Sequence, residues 1–132
     1  MRVLVDAFEA AVASGPLAGA VFVGEVAGAA PERYALIFPS SPDRVQSRAT
    51  GPQSGEVHSF TVHSVGQDPT QTMWVAERVH AGLHELIAGA EWGRVLVAGY
   101  GRVRHTGGES MRKDSSVAPG VHFLVDEYEI SN

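Results

Sequence analysis

The chain has 132 residues, 44% of them hydrophobic and 19% charged, with a formal net charge of -5 and no cysteine. That length suits one domain whose core is large enough to fold unaided, and the missing thiols exclude cysteine catalysis, disulfide frameworks, cysteine-ligated zinc and iron–sulfur clusters. The acidic balance argues against a general nucleic-acid binder. The longest low-charge stretch, residues 17–30, is broken by glycine and too short to span a bilayer, and residues 1–6 lack the opening of a signal peptide.

The first segment predicts a helix. Val5, Phe8 and Val12 recur at spacings of three and four, Leu4, Ala7 and Ala11 widen the stripe, and Gly15-Pro16 stops it. Residues 20–23 form a short apolar run, hence a strand, followed by a loop through Gly28 and Pro31. Residues 34–38 suit a buried strand, closed by Pro39 and the turn-rich Ser40-Ser41-Pro42-Asp43. Residues 44–55 are polar and read as an exposed loop or the outer part of a hairpin. Residues 56–65 are rich in β-branched side chains, with His58, Phe60, Val62 and Ser64 on one face and Val57, Thr61, His63 and Val65 on the other. Apolar residues on both faces predict a central strand.

A second helix opens at Asp68-Pro69. Asp68 is placed to accept from first-turn amides, Pro69 sits where its missing N–H costs nothing, and Gln71 completes a capping-box-like spacing. Met73, Ala76, Val79, Leu83, Leu86 and Ile87 form its apolar stripe, Gly89 its expected cap, and Gly82 implies close packing against the sheet. The last third predicts strands at residues 94–98, 102–105 and 121–130, a turn at Gly99-Tyr100, and a long polar loop over 106–119. The order of elements predicts a single α+β domain: a mostly antiparallel sheet of about five strands packed with two α-helices.

Few residues propose chemistry. His80 and His84 lie four apart on the second helix with Glu77 one turn earlier, a spacing that places imidazoles and a carboxylate on one face as a metal needs. The order of a zinc protease motif is absent, so the expectation is an ordinary polar helix face with no bound metal or cofactor. His58 and His63 differ by an odd number along one strand and point to opposite faces. Ser110 and Ser115 lack a nucleophile elbow and an oriented histidine, and read as solvated. Gly99, Gly101 and Gly107-Gly108 match no phosphate-binding fingerprint. No enzyme activity is expected. Arg78 reads as a solvated helix residue.

The charge map says more. From Gly93 to Lys113 the positive residues are Arg94, Arg102, Arg104, Arg112 and Lys113, against the single acid Glu109, while Asp126, Glu127 and Glu129 crowd the C-terminal strand. Two solvated faces would give that pattern. So would a head-to-tail interface, in which Arg102, Arg104, Arg112 and Lys113 of one subunit meet Asp126 and Glu127 of the next.

Several segments then fall into a familiar order. Thr50-Gly51-Pro52-Gln53, the strand Phe60-Thr61-Val62-His63-Ser64-Val65-Gly66, the helix Trp74-Val75-Ala76-Glu77-Arg78-Val79, Gly101-Arg102-Val103-Arg104-His105, the loop over 114–119 and Val125-Asp126-Glu127-Tyr128 together resemble the tail terminator family of long-tailed, non-contractile bacteriophages, in the form found in phages of actinobacteria. The resemblance runs over about residues 34–128. It implies a structural virion protein made in the host cytoplasm and placed at the head–tail junction. The implied assembly is a homo-hexameric ring in the assembled tail, with a monomer in solution left open, that caps the major tail tube protein, ends tube polymerisation and offers a surface to the neck and connector proteins. Genome DNA would pass through the ring without sequence-specific binding. Neither membrane nor cofactor belongs to that role. The alternatives are another neck protein (head-closure or adaptor), a small metal-dependent enzyme using Glu77, His80 and His84, and a binding module that forms no ring.

Overall fold

A computed structural model, describing residues 2–26, 28–40, 43–46, 53–114 and 121–131, places two helices on one face of a mostly antiparallel sheet, the predicted α+β class. In chain order the elements are α1 (Arg2–Val12), β1 (Val21–Val23), β2 (Tyr34–Pro39), β3 (Asp43–Gln46), β4 (Gln53–Gly66), α2 (Pro69–Leu83), β5 (His84–Ile87), β6 (Ala90–Gly93), β7 (Arg104–Asp114) and β8 (Val121–Ser131). Among the described residues the main sheet runs β1-β2-β4-β8-β7, with β3 pairing beside β2 on β4, and β5-β6 form a separate two-stranded ribbon. Among the described strand pairs only β1–β2 is parallel.

The core follows the predicted patterns. Leu4, Val5, Phe8 and Val12 line the inner stripe of α1. Phe8 lies flat on Phe60 of β4, ring centres 4.2 Å apart, and meets Tyr128 of β8 edge-on. His58, Phe60, Val62 and Ser64 are all buried on the helix side of the central strand, while His63 looks out of the opposite face. The start of α2 is also as expected: the Gln71 amide donates to the Asp68 carboxylate at 2.8 Å, and the Gln67 amide donates back to the Gln71 side chain at 2.9 Å. The predicted polar segment 44–55 holds β3 and the first residues of β4, paired antiparallel, which is the hairpin form of that expectation. Residues 47–52 lie outside the described residues, and so do 115–120, including Ser115.

Five expectations need correction. The second helix stops at Leu83, not near Gly89, with His84 already extended (φ -127°, ψ 160°). Its buried stripe is Thr72, Val75, Val79 and Leu83, while Met73, Leu86 and Ile87 are exposed. The reason is non-local: the Leu83 carbonyl accepts from the Arg94 amide (2.9 Å), so the chain folds back as β5, a two-residue turn and β6. Both turn residues have positive φ, Ala88 at 51° and Gly89 at 82°, the geometry that suits the twist of a tight hairpin.

Gly82 does pack closely, but against α1 instead of the sheet; a Cβ there would stand 2.5 Å from the Ala11 carbonyl oxygen. Residues 94–98 form no strand; Arg94 is held at both ends of its backbone, its amide by the Leu83 carbonyl and its carbonyl by the Val103 amide, and the Val97 carbonyl accepts from Tyr100 in a turn. Most of the expected loop over 106–119 is the strand β7, which pairs with β8 through two register shifts. Its polarity reflects position: β7 lies at the edge of the sheet, and none of its described side chains is fully buried.

Candidate functional site

The end of α2, the β5–β6 hairpin and the outer strands β7 and β8 bring three histidines together. His80 sits in the last turn of α2, and its Nε2 donates to the Glu91 carboxylate of β6 at 2.6 Å. The rings of His80 and His84 stack with centres 3.8 Å apart. The His84 Nδ1–H donates to the His80 carbonyl at 2.8 Å, a bond that sets the ring's orientation and leaves Nε2 as the nitrogen turned away from the helix. His105 on β7 lies 6.2 Å from His80, ring to ring, and bonds Asp126 of β8 at 2.9 Å. Tyr128 closes the inner side of the group, 5.1 Å from His105 and 6.5 Å from His84.

The electrostatics follow from these contacts. The hydrogen bond from His80 holds the Glu91 carboxyl below its usual range, and the nearby charge of His80 and His84 acts the same way. Burial pushes the Tyr128 phenol well above its ordinary value, reinforced by Asp126 and Glu91, so it stays protonated throughout the physiological range. Helical spacing had suggested Glu77 as the carboxylate beside His80 and His84. The structure supplies Glu91 instead, because β6 folds back across the end of α2, and the ligand atoms of His80, His84 and Glu91 lie within 4.8 Å of one another. Neither Glu91 nor the His105–Asp126 pair carries a local sequence signal.

The charged zones read from the sequence turn out to be neighbours. Arg104 stands opposite Glu129 in the β7–β8 register and bonds it at 2.9 Å, while Arg112 pairs with Glu109 at 3.1 Å along its own strand. Asp126 is taken by His105, Glu127 and Lys113 are exposed, and Arg102 donates to the Gly93 carbonyl and covers the Trp92 ring. Basic and acidic residues therefore lie on adjacent strands of one sheet edge. Arg78 is less solvated than expected, half-buried beside Trp74, which also carries Arg33 at 4.0 Å from its ring centre.

Next to this edge the hairpin presents Leu86, Ile87 and Trp92 to solvent, with Leu86 76% exposed. On the helix-free face of the sheet, His63 lies between Phe38 (5.0 Å) and Phe123 (5.9 Å). Burial there pulls its imidazole below the ordinary value of 6.5, against the attraction of Glu109. The folded chain thus holds this proton more weakly than the unfolded chain. The contribution of His63 to stability is intact above pH 6.5 and is lost as the pH falls from there towards the lowered folded value. His63→Phe is expected to shrink the drop in melting temperature between pH 7 and pH 5; an unchanged drop would contradict this.

No protein-family model matches the chain, and no curated protein matches it. Among solved structures it is similar to a chain from one described as "Virion of native gene transfer agent (GTA) particle", with a TM-score of 0.50, 16% identity, and coverage of 98% of this chain and 88% of that one. At that identity the likeness shows a shared fold.

Proposed function

We propose that this protein is a virion structural subunit of tail terminator type, which assembles as a hexameric ring on the end of a phage tail tube, stops its polymerisation and joins tail to head. The observation that carries the reading is the exposed apolar hairpin beside a charged edge strand. Among the described residues β7 is paired on one side only, and the hairpin beside it exposes Leu86, Ile87 and Trp92. Apolar groups exposed together in this way mark an interaction surface, while the charged side chains and two register shifts of β7 blunt it against strand-to-strand pairing, so a contact at this edge runs through side chains. Two further points support the reading. The fold is shared with a chain from a virion particle, and the sequence resemblance runs to tail terminators.

The proposed subunit contact uses Arg102, Arg104, Arg112 and Lys113 on one side and Asp126 and Glu127 on the next subunit. The pairs Arg104–Glu129 and Arg112–Glu109 inside the free subunit do not oppose this, since exposed ion pairs contribute only about 0–1 kcal/mol and exchange cheaply. Size is compatible with a conduit. A chain of 132 residues has a radius of gyration of about 14 Å, and six equivalent spheres in a ring leave a gap of about 36 Å. The net charge of -5 suits passage of DNA, because a basic lining would hold each phosphate it met.

The direct test mixes purified protein with tail tubes and images their ends. A ring-shaped cap on one end, lost when Arg112 and Lys113 are both changed to Glu, is the expected result. Bare ends, with the protein free in solution, would overturn the reading.

A further inference from the structure

We propose that His80, His84 and Glu91 form a binding site for one divalent transition-metal ion of the zinc class, which clamps the β5–β6 hairpin to the end of α2. The donor set is two imidazoles and one carboxylate, the combination that zinc takes in three-ligand sites with a fourth position open. The three donor atoms lie within 4.8 Å of one another. The two imidazoles, now stacked within 16° of parallel, must swing out of the stack about their side-chain bonds for their in-plane lone pairs to converge at the edge lengths of a tetrahedral shell, about 3.3 Å for metal–ligand bonds near 2.0 Å. His80 Nε2 and Glu91 are closer than that now, bridged by a proton at 2.6 Å.

Two features go beyond proximity. The His84 ring is oriented as metal-bound histidines usually are, with one ring nitrogen donating to a backbone carbonyl so that the other is free to coordinate. Arg94 in turn donates to the His84 carbonyl at 3.1 Å and ties the start of β5 in place. Access is open as well, through a surface groove of about 320 Å³ lined by Ala81, His84, Leu86, Glu91 and Arg94 among others. On binding, the ion replaces the proton between His80 and Glu91, which leaves to solvent, and the fourth position goes to water.

The ligands come from the last turn of α2, its first residue beyond, and the far strand of the hairpin. The ion would therefore fix the projecting element that carries Leu86 and Trp92. This inference stands on the three side chains alone and does not depend on the tube-capping reading.

Untagged protein, stripped with a chelator, is titrated with Zn²⁺ by calorimetry and followed by thermal melting. One ion per chain is expected, with a rise in melting temperature when the ion is in excess of its dissociation constant. Glu91→Ala, which removes an exposed carboxylate, should weaken binding by about tenfold or more. His80→Gln should weaken it similarly, and both variants should melt without metal close to the parent. Failure to bind Zn²⁺, or equal affinity in Glu91→Ala and the parent, would overturn the site.

Discussion

Replacing Phe60 by Ala should cost about 3–5 kcal/mol, a large share of the roughly 5–15 kcal/mol that holds a domain of this kind together. The ring is fully buried where α1 packs on the central strand of the sheet. It stacks on Phe8 of α1 within 5° of parallel, and its register partner on β8 is Tyr128. No neighbour is free to fill the vacated space, since α1 is held by Leu4, Val5 and Val12 as well, and β4 is fixed between β2 and β8. Phe60→Leu keeps much of the volume and should lose far less. Urea titration of the three proteins checks this: the midpoint should fall steeply for Ala and modestly for Leu with slopes unchanged. A loss below about 1 kcal/mol for Phe60→Ala would contradict the packing described.

Gly93→Ala is expected to be nearly as damaging, for a different reason. Gly93 ends β6, and its Cα faces the backbone of Val103, whose side chain is buried in the core. A Cβ at Gly93 would overlap the Val103 carbonyl oxygen, and neither backbone yields easily. Val103 is tied to Arg94 by a hydrogen bond, and the Gly93 carbonyl is held by Arg102. The overlap should cost about 3 kcal/mol or more. Gly107→Ala is the control, because a Cβ there meets nothing within 4 Å. A melting temperature for Gly93→Ala equal to that of Gly107→Ala would show that the hairpin base is looser than the structure has it. Since β6 also carries Glu91, Gly93→Ala should weaken Zn²⁺ binding too.

Much of this architecture is legible in the amino-acid sequence. The stripe of α1, the cap and first turns of α2, and the two-faced central strand rest on local rules of periodicity and capping, and the structure keeps all three. What escaped depends on contacts remote in sequence. Leu86 and Ile87 continue the helical period of Val79 and Leu83, so nothing local ends α2; the hydrogen bond from Arg94 to Leu83 and the tight turn at Ala88-Gly89 do. β7 has solvent on both faces and thus no alternation to detect, so a polar edge strand imitates a loop. The histidine cluster was half visible. His80 and His84 share a helical spacing, but Glu91, His105 and Asp126 join them only through the fold-back of the hairpin and the pairing of β7 with β8. The imbalance of charge along the chain was plain, whereas its resolution into neighbouring strands required the register.

Whether this protein ends the growth of a tube, as proposed, is measured most directly by tail length in cells infected by phage lacking it. Tails should become overlong and broadly distributed, and restoring the protein should return them to one length. Tails of normal length left unattached to heads would assign the chain to the head side of the junction and overturn the tube-capping proposal.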